Sequence, residues 1–155
     1  MKLSNRCRYA LLALFDIAFH NDGKPTQVRQ IAERQNIPGR FLEQIFQDLR
    51  RAQLVDGKRG RNGGYFLHRE PSQISFLDVI LATETHTGLY QCPNCSAAEG
   101  GNTCPCESSC IPAQAWREVN EKIYEVYAAY NLNDLVQRAE DAGFSKTDLG
   151  YMYFI

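Results

Sequence analysis

The 155-residue sequence has no apolar run long enough to cross a membrane. A transmembrane helix needs about 20 consecutive apolar residues, and the longest apolar stretch, residues 9–19, is interrupted by Asp16. It follows Lys2, Arg6 and Arg8 as in a secretory signal, but no small-residue cleavage site comes after it. We therefore expect an amphipathic helix there, in a cytoplasmic protein.

The sequence patterns of several enzyme classes are also missing. There is no GxGxxG or P-loop pattern of nucleotide-binding proteins, no HExxH pattern of zinc peptidases and no GxSxG pattern of serine hydrolases. With 44% hydrophobic and 23% charged residues, the composition is that of one ordinary globular domain. These absences favour a protein that is not an enzyme.

Charge is distributed unevenly along the chain. Residues 1–71 contain 13 Lys or Arg against 7 Asp or Glu, whereas residues 72–155 contain 4 against 11. Binding to phosphates requires a local cluster of positive charge rather than a basic protein as a whole. The first half is therefore a candidate for binding a polyanion such as nucleic acid.

Apolar periodicity predicts three helices in the first third of the chain. The first covers residues 5–20 with Ser4 as N-cap, and the second ends near residue 35 with Thr26 as cap. The third follows a tight turn at residues 36–39. Its apolar stripe, which we expect to be buried, is Phe41, Leu42, Ile45, Phe46 and Leu49.

Two short strand candidates, residues 54–58 and 65–68, flank a glycine-rich basic turn and predict a β-hairpin. A helix, a tight turn, a second helix and a basic hairpin together predict a winged helix-turn-helix, in which the second helix enters the major groove of DNA and the wing follows the backbone. The base-reading set, which can contact base edges, is Arg40, Glu43, Gln44 and Gln47. The phosphate-binding set, in which Arg59 can also reach the minor groove, is Arg50, Arg51, Lys58, Arg59 and Arg61.

A further helix is predicted over residues 76–83 with Ser75 as cap, and a long one follows over residues 111–130. The long helix has apolar residues at alternating steps of three and four, which is the pattern of a coiled-coil seam. This seam consists of Trp116, Val119, Ile123, Val126 and Tyr130. It predicts a homodimer, whose two DNA-reading helices would lie about 34 Å apart on a palindromic site.

The predicted fold is mainly α with a small β-hairpin wing. A winged helix-turn-helix domain occupies residues 1–85 and a cysteine-rich segment residues 86–110. The dimerisation helix and a short final helix occupy residues 111–142, and a C-terminal tail residues 143–155.

The cysteine-rich segment holds five of the six cysteines. In a reducing compartment such clusters are metal ligands or redox thiols before they are structural disulfides. Cys92-x2-Cys95 with Cys106-x3-Cys110 could hold zinc, and three or four of the thiolates could equally hold an iron–sulfur cluster. A thioredoxin-type pair is disfavoured because no strand precedes it and no helix follows it. The spacing leaves zinc and iron–sulfur both open.

Several motifs occur in one order along residues 1–140. They are Met1-Lys2-Leu3-Ser4 with Arg8-Tyr9-Ala10, Ile31-Ala32-Glu33-Arg34-Gln35, Phe41-Leu42-Glu43-Gln44-Ile45-Phe46, Leu49-Arg50, Gly60 with Gly63-Gly64-Tyr65, and Cys110 followed by Ala115-Trp116-Arg117. This combination resembles the IscR and NsrR type of bacterial winged-helix transcription regulators. The resemblance implies a homodimeric regulator whose DNA binding is tuned by an iron–sulfur cluster, commonly 2Fe–2S. It also implies that Glu43 and Arg59 are groove-reading and wing positions.

The chain departs from the family pattern at the cluster ligands. The family's three cysteines are usually separated by five residues, a spacing that only Cys104 and Cys110 keep. The histidine ligand of the IscR branch is replaced by Ala113, and the carboxylate ligand of the nitric-oxide-sensing branch by Arg8. We therefore take as ligands Cys92, Cys104 and Cys110 with Cys95 as the fourth, and Cys106 in reserve. Cys7 and His86 are further candidates, Cys7 from across the dimer.

Two alternatives remain. One is a DNA-binding regulator without a cluster, which senses thiol oxidation, zinc, a small metabolite or a partner. The other is a redox or electron-transfer protein built around the cysteines, for which a wing would serve no purpose.

Overall fold

The computed structural model describes residues 3–21, 23–84 and 110–146. In these ranges the chain forms six helices of more than one turn and one antiparallel hairpin. The elements are α1 (Asn5–His20), α2 (Val28–Gln35), α3 (Gly39–Arg51), β1 (Val55–Lys58), β2 (Gly64–Leu67), a short 3₁₀ helix (Pro71–Gln73), α4 (Phe76–Thr83), α5 (Ile111–Ala129) and α6 (Leu132–Asp141). The predicted mainly α fold with a hairpin wing is confirmed.

Local capping determines where several of these helices begin. The Ser4 hydroxyl accepts a hydrogen bond from the backbone N–H of Cys7 at 3.2 Å, as the sequence predicts for α1. At α4, Ser75 and Asp78 form a reciprocal capping box, and Asn131 and Asp134 do the same at α6. The first and fourth helices therefore have the predicted bounds.

The predicted cap of α2 is wrong. This helix begins at Val28 with Gln27 as its N-cap, and Thr26 lies outside it. The backbone of Thr26 is instead paired with that of Tyr65 on β2, with N–O distances of 2.8 and 2.7 Å. Because both backbone groups of Thr26 are used in this bridge, the cap and the start of the helix lie one residue later than predicted.

The core forms around α1 and the inner face of α3. From the predicted stripe of α3, Leu42, Ile45, Phe46 and Leu49 are buried, whereas Phe41 is half-buried and turns the edge of its ring toward Tyr9 of α1. Helix α6 packs on the far end of α1, where Ala139 joins a second apolar cluster with Phe15 and Phe19. In the three described ranges, no helix has the length and apolarity that crossing a membrane requires.

A buried carboxylate connects α1 to the helix-turn-helix. Asp16 is 0% exposed, and both of its oxygens accept hydrogen bonds from the Arg34 guanidinium, the shortest at 2.6 Å. Gln35 donates a further hydrogen bond to Asp16 at 3.0 Å. A bidentate pair of this kind fixes the relative orientation of two helices as well as compensating the buried charge.

Replacing Asp16 by Ala should strongly destabilise the fold, because Arg34 would keep a largely buried charge without its partner. We expect the free energy of unfolding to fall by about 3 kcal/mol or more, measured by urea denaturation. Glu33→Ala is the matched control. It removes an ion pair between the exposed side chains of Arg29 and Glu33, both on α2, the helix that also carries Arg34. Equal midpoints for the Asp16→Ala protein and the wild type would contradict this assignment.

Candidate nucleic-acid interface and cysteine segment

The outer face of α3 presents the whole base-reading set to solvent. Arg40, Glu43, Gln44 and Gln47 are all exposed, whereas the apolar residues between them are buried on the opposite side of the helix. The start of the helix is positioned by a tight turn, in which Asn36 has a left-handed backbone with φ 50° and Ile37 is buried. The polar side chains are therefore presented on one face, as a major-groove helix requires.

The phosphate-binding set is exposed as well, but its charges differ in availability. Arg50, Arg51, Lys58, Arg59 and Arg61 are all exposed. Of these, Arg51 is paired with Asp48 at 3.1 Å, and the same carboxylate is paired with Arg6 of α1. Part of the Arg51 charge is therefore neutralised within the protein.

The wing is a two-stranded hairpin in which Val55 pairs with Leu67 and Lys58 with Gly64. Its turn closes through a hydrogen bond from the N–H of Gly63 to the carbonyl of Gly60 at 2.9 Å. Gly64 has φ +153°, and a Cβ on it would lie 2.2 Å from the carbonyl oxygen of Thr26. Only glycine lets β2 approach the segment before α2 this closely.

Helix α5 leaves its apolar residues uncovered. It has no buried residue along its length and packs mainly on α4. Within the seam Ile123 is half-buried, while the others are 41–58% exposed: Trp116, Val119, Val126 and Tyr130. Leu81 on α4 and Ile111 are exposed too, at 55% and 70%, and sequence analysis did not single them out.

Among the predicted cysteine ligands, only Cys110 lies within the described residues. It is half-buried and is the N-cap of α5. Cys92, Cys95, Cys104, Cys106 and His86 lie outside the described residues. Within the described residues, no three His, Cys, Asp or Glu side chains come together as a metal site would require.

Cys7 is a core residue, 3% exposed on α1. Burial, as the largest cause, raises the pKa of its thiol, and the negative charge of Glu84 raises it further, although a hydrogen bond with Thr83 acts in the opposite direction. Since metal ligation requires the thiolate, a thiol with a raised pKa is a poorer ligand than an ordinary one. This environment argues against Cys7 as a ligand.

A carboxylate from the other end of the domain completes the cap of α1. Glu84 accepts hydrogen bonds from both the backbone N–H and the hydroxyl of Ser4, at 2.9 and 2.7 Å. In a capping box this acceptor is the third helical residue, but in α1 that residue is Cys7. Glu84, which ends α4, therefore takes its place and joins the start of the chain to the residues that lead into the cysteine-rich segment.

Comparison with known proteins agrees with this architecture. The model of the Rrf2 family, described as iron-dependent transcriptional regulators, matches residues 3–138. The chain belongs to the Rrf2 family of transcriptional regulators. The sequence-based resemblance is thereby confirmed, and the winged helix-turn-helix is the DNA-binding part of this Rrf2 protein.

Individual relatives of this Rrf2 chain cover nearly all of it. The HTH-type transcriptional regulator IscR of Xenorhabdus nematophila is 33% identical over 140 residues, which are 90% of this chain and 82% of that protein. Among solved structures, T. potens IscR is 32% identical with a TM-score of 0.68, covering 99% of this chain and 97% of that one. CymR, the global cysteine regulator of B. subtilis, is 28% identical with the same TM-score of 0.68, covering 89% and 98%.

Two connections of this Rrf2 fold were missed by sequence analysis. The first is the contact of Glu84 with Ser4, for which the absence of an acidic residue in the first turn of α1 was the available signal. The second is a hydrogen bond from the Gln27 side chain to the carbonyl of Arg61 in the wing, at 3.2 Å. No sequence pattern marks that contact, since its partners are 34 residues apart.

Gly64→Ala should detach the wing, because the added Cβ would collide with the Thr26 backbone. Losing both hydrogen bonds of the Thr26 bridge should lower the free energy of unfolding by about 2 kcal/mol, and gel retardation should show weaker DNA binding. Gly57→Ala in the opposite strand is the control, since its Cβ would meet only the Tyr65 ring at an ordinary 3.5 Å. If the two variants behave alike, the close approach at Gly64 is not what holds the wing.

Proposed function

We propose that this Rrf2 chain is a homodimeric transcription regulator whose affinity for a palindromic DNA site depends on an iron–sulfur group held by the cysteine-rich segment. The observation that carries the proposal is the common exposure of the base-reading set on α3 and of the wing arginines. Polar side chains that can contact base edges, flanked by cations for phosphates, are the components of sequence-specific DNA binding. Glu43 can accept from the cytosine amino group, Arg40 can donate to guanine, and Gln44 and Gln47 can pair with adenine.

Dimerisation through α5 is supported by the seam. Its residues are apolar, spaced for helix pairing and mostly uncovered in the single chain. Contiguous exposed apolar surface of this kind marks an interaction site. A second copy of α5 offers a complementary surface, and the resulting twofold symmetry would present two α3 helices to two half-sites. Tyr130 also contacts Phe76 and Arg138 of its own chain, so we expect it to contribute least.

Val126→Glu should weaken the dimer, because two unpaired carboxylates would be brought into the apolar seam. We expect the dimer dissociation constant to rise at least about 100-fold, measured by sedimentation equilibrium. Ala128→Glu adds the same charge to the same helix away from the seam, at an exposed position, and should leave the association unchanged. A wild-type protein that is monomeric at micromolar concentration would refute the dimer.

The donor chemistry of the cysteine-rich segment fits an iron–sulfur group. Five cysteines supply more thiolates than the three or four that such a group needs, and the matching family is described as iron-dependent. We propose Cys92, Cys104 and Cys110 as ligands, with Cys95 as the fourth and Cys106 in reserve. When bound, the commonly two-iron group would supply a one-electron redox centre that is also sensitive to oxidants.

The described residues offer a route from this segment to the DNA-binding face. Glu84 leads into the segment and is hydrogen-bonded to the Ser4 cap of α1. Arg6, which lies two residues after Ser4 on α1, is paired with Asp48 of α3. A change at Glu84 would therefore act on the start of α1 and, through it, on the DNA-reading helix. A coupling of about 1–3 kcal/mol would change DNA affinity by roughly 5- to 150-fold.

Cys110→Ala should abolish the visible absorption of anaerobically purified protein, because a ligand thiolate would be lost. Cys7→Ala is the matched control and should keep the absorption, since that thiol is buried and its pKa is raised. The affinities of iron-loaded, reduced and metal-free protein should then be compared on one palindromic duplex. Equal affinities in all three states would refute the switch while leaving DNA binding intact.

A regulator without a cluster is the second candidate. It is supported by the similarity to CymR, the global cysteine regulator of B. subtilis. In that case the purified protein would be colourless and would contain zinc or disulfides. Iron, sulfide and zinc counts per chain, taken with the absorption spectrum, distinguish the two candidates.

A further inference from the structure

Tyr65 is the point at which three parts of the DNA-binding face meet. Its backbone N–H and carbonyl are both hydrogen-bonded to Thr26, at 2.7 and 2.8 Å, in the segment that leads into α2. Its ring stacks on Phe46 of α3, with centroids 4.3 Å apart and planes 13° apart. On β1 it pairs with Gly57.

These contacts hold the half of the hairpin nearest its turn, whereas the other end is held by Val55, which is buried in the core, and by Leu67, which packs against the core. A two-stranded hairpin is marginally stable on its own, and the tip residues Lys58, Arg59 and Arg61 are exposed. The tip has one further described contact, the hydrogen bond from the Gln27 side chain to the Arg61 carbonyl at 3.2 Å. The position of the wing tip relative to α3 therefore depends on the end of β2 nearest the turn, where Tyr65 lies.

DNA requires that position to be accurate. The major groove is about 12 Å wide and the minor groove about 6 Å. If α3 enters the major groove and the wing contacts the adjacent DNA strand, the protein must hold α3 and the wing at a set separation. The stack of Tyr65 on Phe46 joins β2 directly to the DNA-reading helix. Because Phe46 is fully buried in the core, the ring rests on a fixed part of the same helix whose opposite face carries the base-reading set.

We propose that Tyr65 is a positioning residue for DNA recognition: its stack on Phe46 sets the separation of wing and α3, so that the wing arginines bind phosphates while α3 occupies the major groove. This inference rests on the proposed DNA contacts of Arg59 and Arg61. It assigns no contact between Tyr65 and DNA.

Salt dependence distinguishes positioning from simple stabilisation. Each lost phosphate contact makes the slope of log affinity against log salt concentration shallower by about 0.9. A variant that is only less stable contains fewer folded molecules, but the slope measured for those folded molecules is unchanged. Replacing both Arg59 and Arg61 by Gln should therefore reduce the slope by about 2. Tyr65→Leu, which keeps an apolar side chain but no flat ring, should reduce it by the same amount.

A double-mutant cycle tests whether the two effects share one cause. If Tyr65 acts through the wing arginines, replacing Arg59 and Arg61 in a Tyr65→Leu background should cause no further change. Tyr65→Phe keeps the ring that stacks on Phe46, so this variant should have the wild-type slope of log affinity against log salt concentration. Phe66→Leu is the matched control, because this neighbouring aromatic residue lies on the opposite face of β2 and should keep the wild-type slope.

All affinities are measured by fluorescence anisotropy at matched folded fraction, on the duplex that the wild type binds. Should Tyr65→Leu fail to fold, Tyr65→Met replaces it, because its longer apolar side chain fills more of the space beside Phe46 without a ring that can stack. A Tyr65→Leu or Tyr65→Met protein with the wild-type slope, or additive effects in the cycle, would overturn the inference. So would arginine variants that leave the slope unchanged, whereas a wild type that binds no DNA would refute the proposed function itself.

Discussion

Burial of α1 is the constraint on which the rest of the structure depends. Eight of its sixteen residues are buried, and it packs against α2, α3, α4, α6 and β2. A helix surrounded in this way cannot be apolar throughout without losing its orientation, and the buried Asp16 supplies the directional contact. Because Arg34 and Gln35 both donate to it, the end of α2 is held at one angle to α1. The turn that follows then determines where α3 starts and which of its faces is exposed.

Local sequence signals were sufficient for the secondary structure. Ser4 and Ser75 mark true helix starts, and the step of three and four residues from Leu42 to Leu49 identifies the buried face of α3. The prediction failed at Thr26, whose backbone pairs with a strand residue 39 positions later. A cap and a strand bridge use the same kind of residue, and only the long-range contact distinguishes them. The contact of Glu84 with Ser4 is also long-range: the first turn of α1 shows that an acidic partner is missing, but not where in the chain that partner lies.

The candidate site was predictable to different depths in its two parts. For the DNA-binding face, residue type and helical spacing already separate Arg40 and Gln44 from the core residues Leu42 and Ile45, since one helix face must be buried. For the cysteines, spacing is weak information, because a long segment without periodicity does not determine which thiols come together. Cys7 shows the converse. Its place on the apolar stripe of α1 already predicts a core residue, which its burial confirms, whereas the raised pKa of its thiol depends partly on Glu84, which is far away in the sequence.

The cysteine-rich segment is attached to the fold at two places with different consequences. At its start, Glu84 is bonded to the cap of α1, the helix that orients the DNA-binding face. At its end, Cys110 is the N-cap of α5, the helix that carries the seam. Since α4 and α5 pack against each other, a ligand set that includes Cys110 would fix the distance between these attachments. Loss of the bound group would then act on α1 and α5 together. In a twofold dimer, the separation of the two α3 helices depends on both α1 and α5.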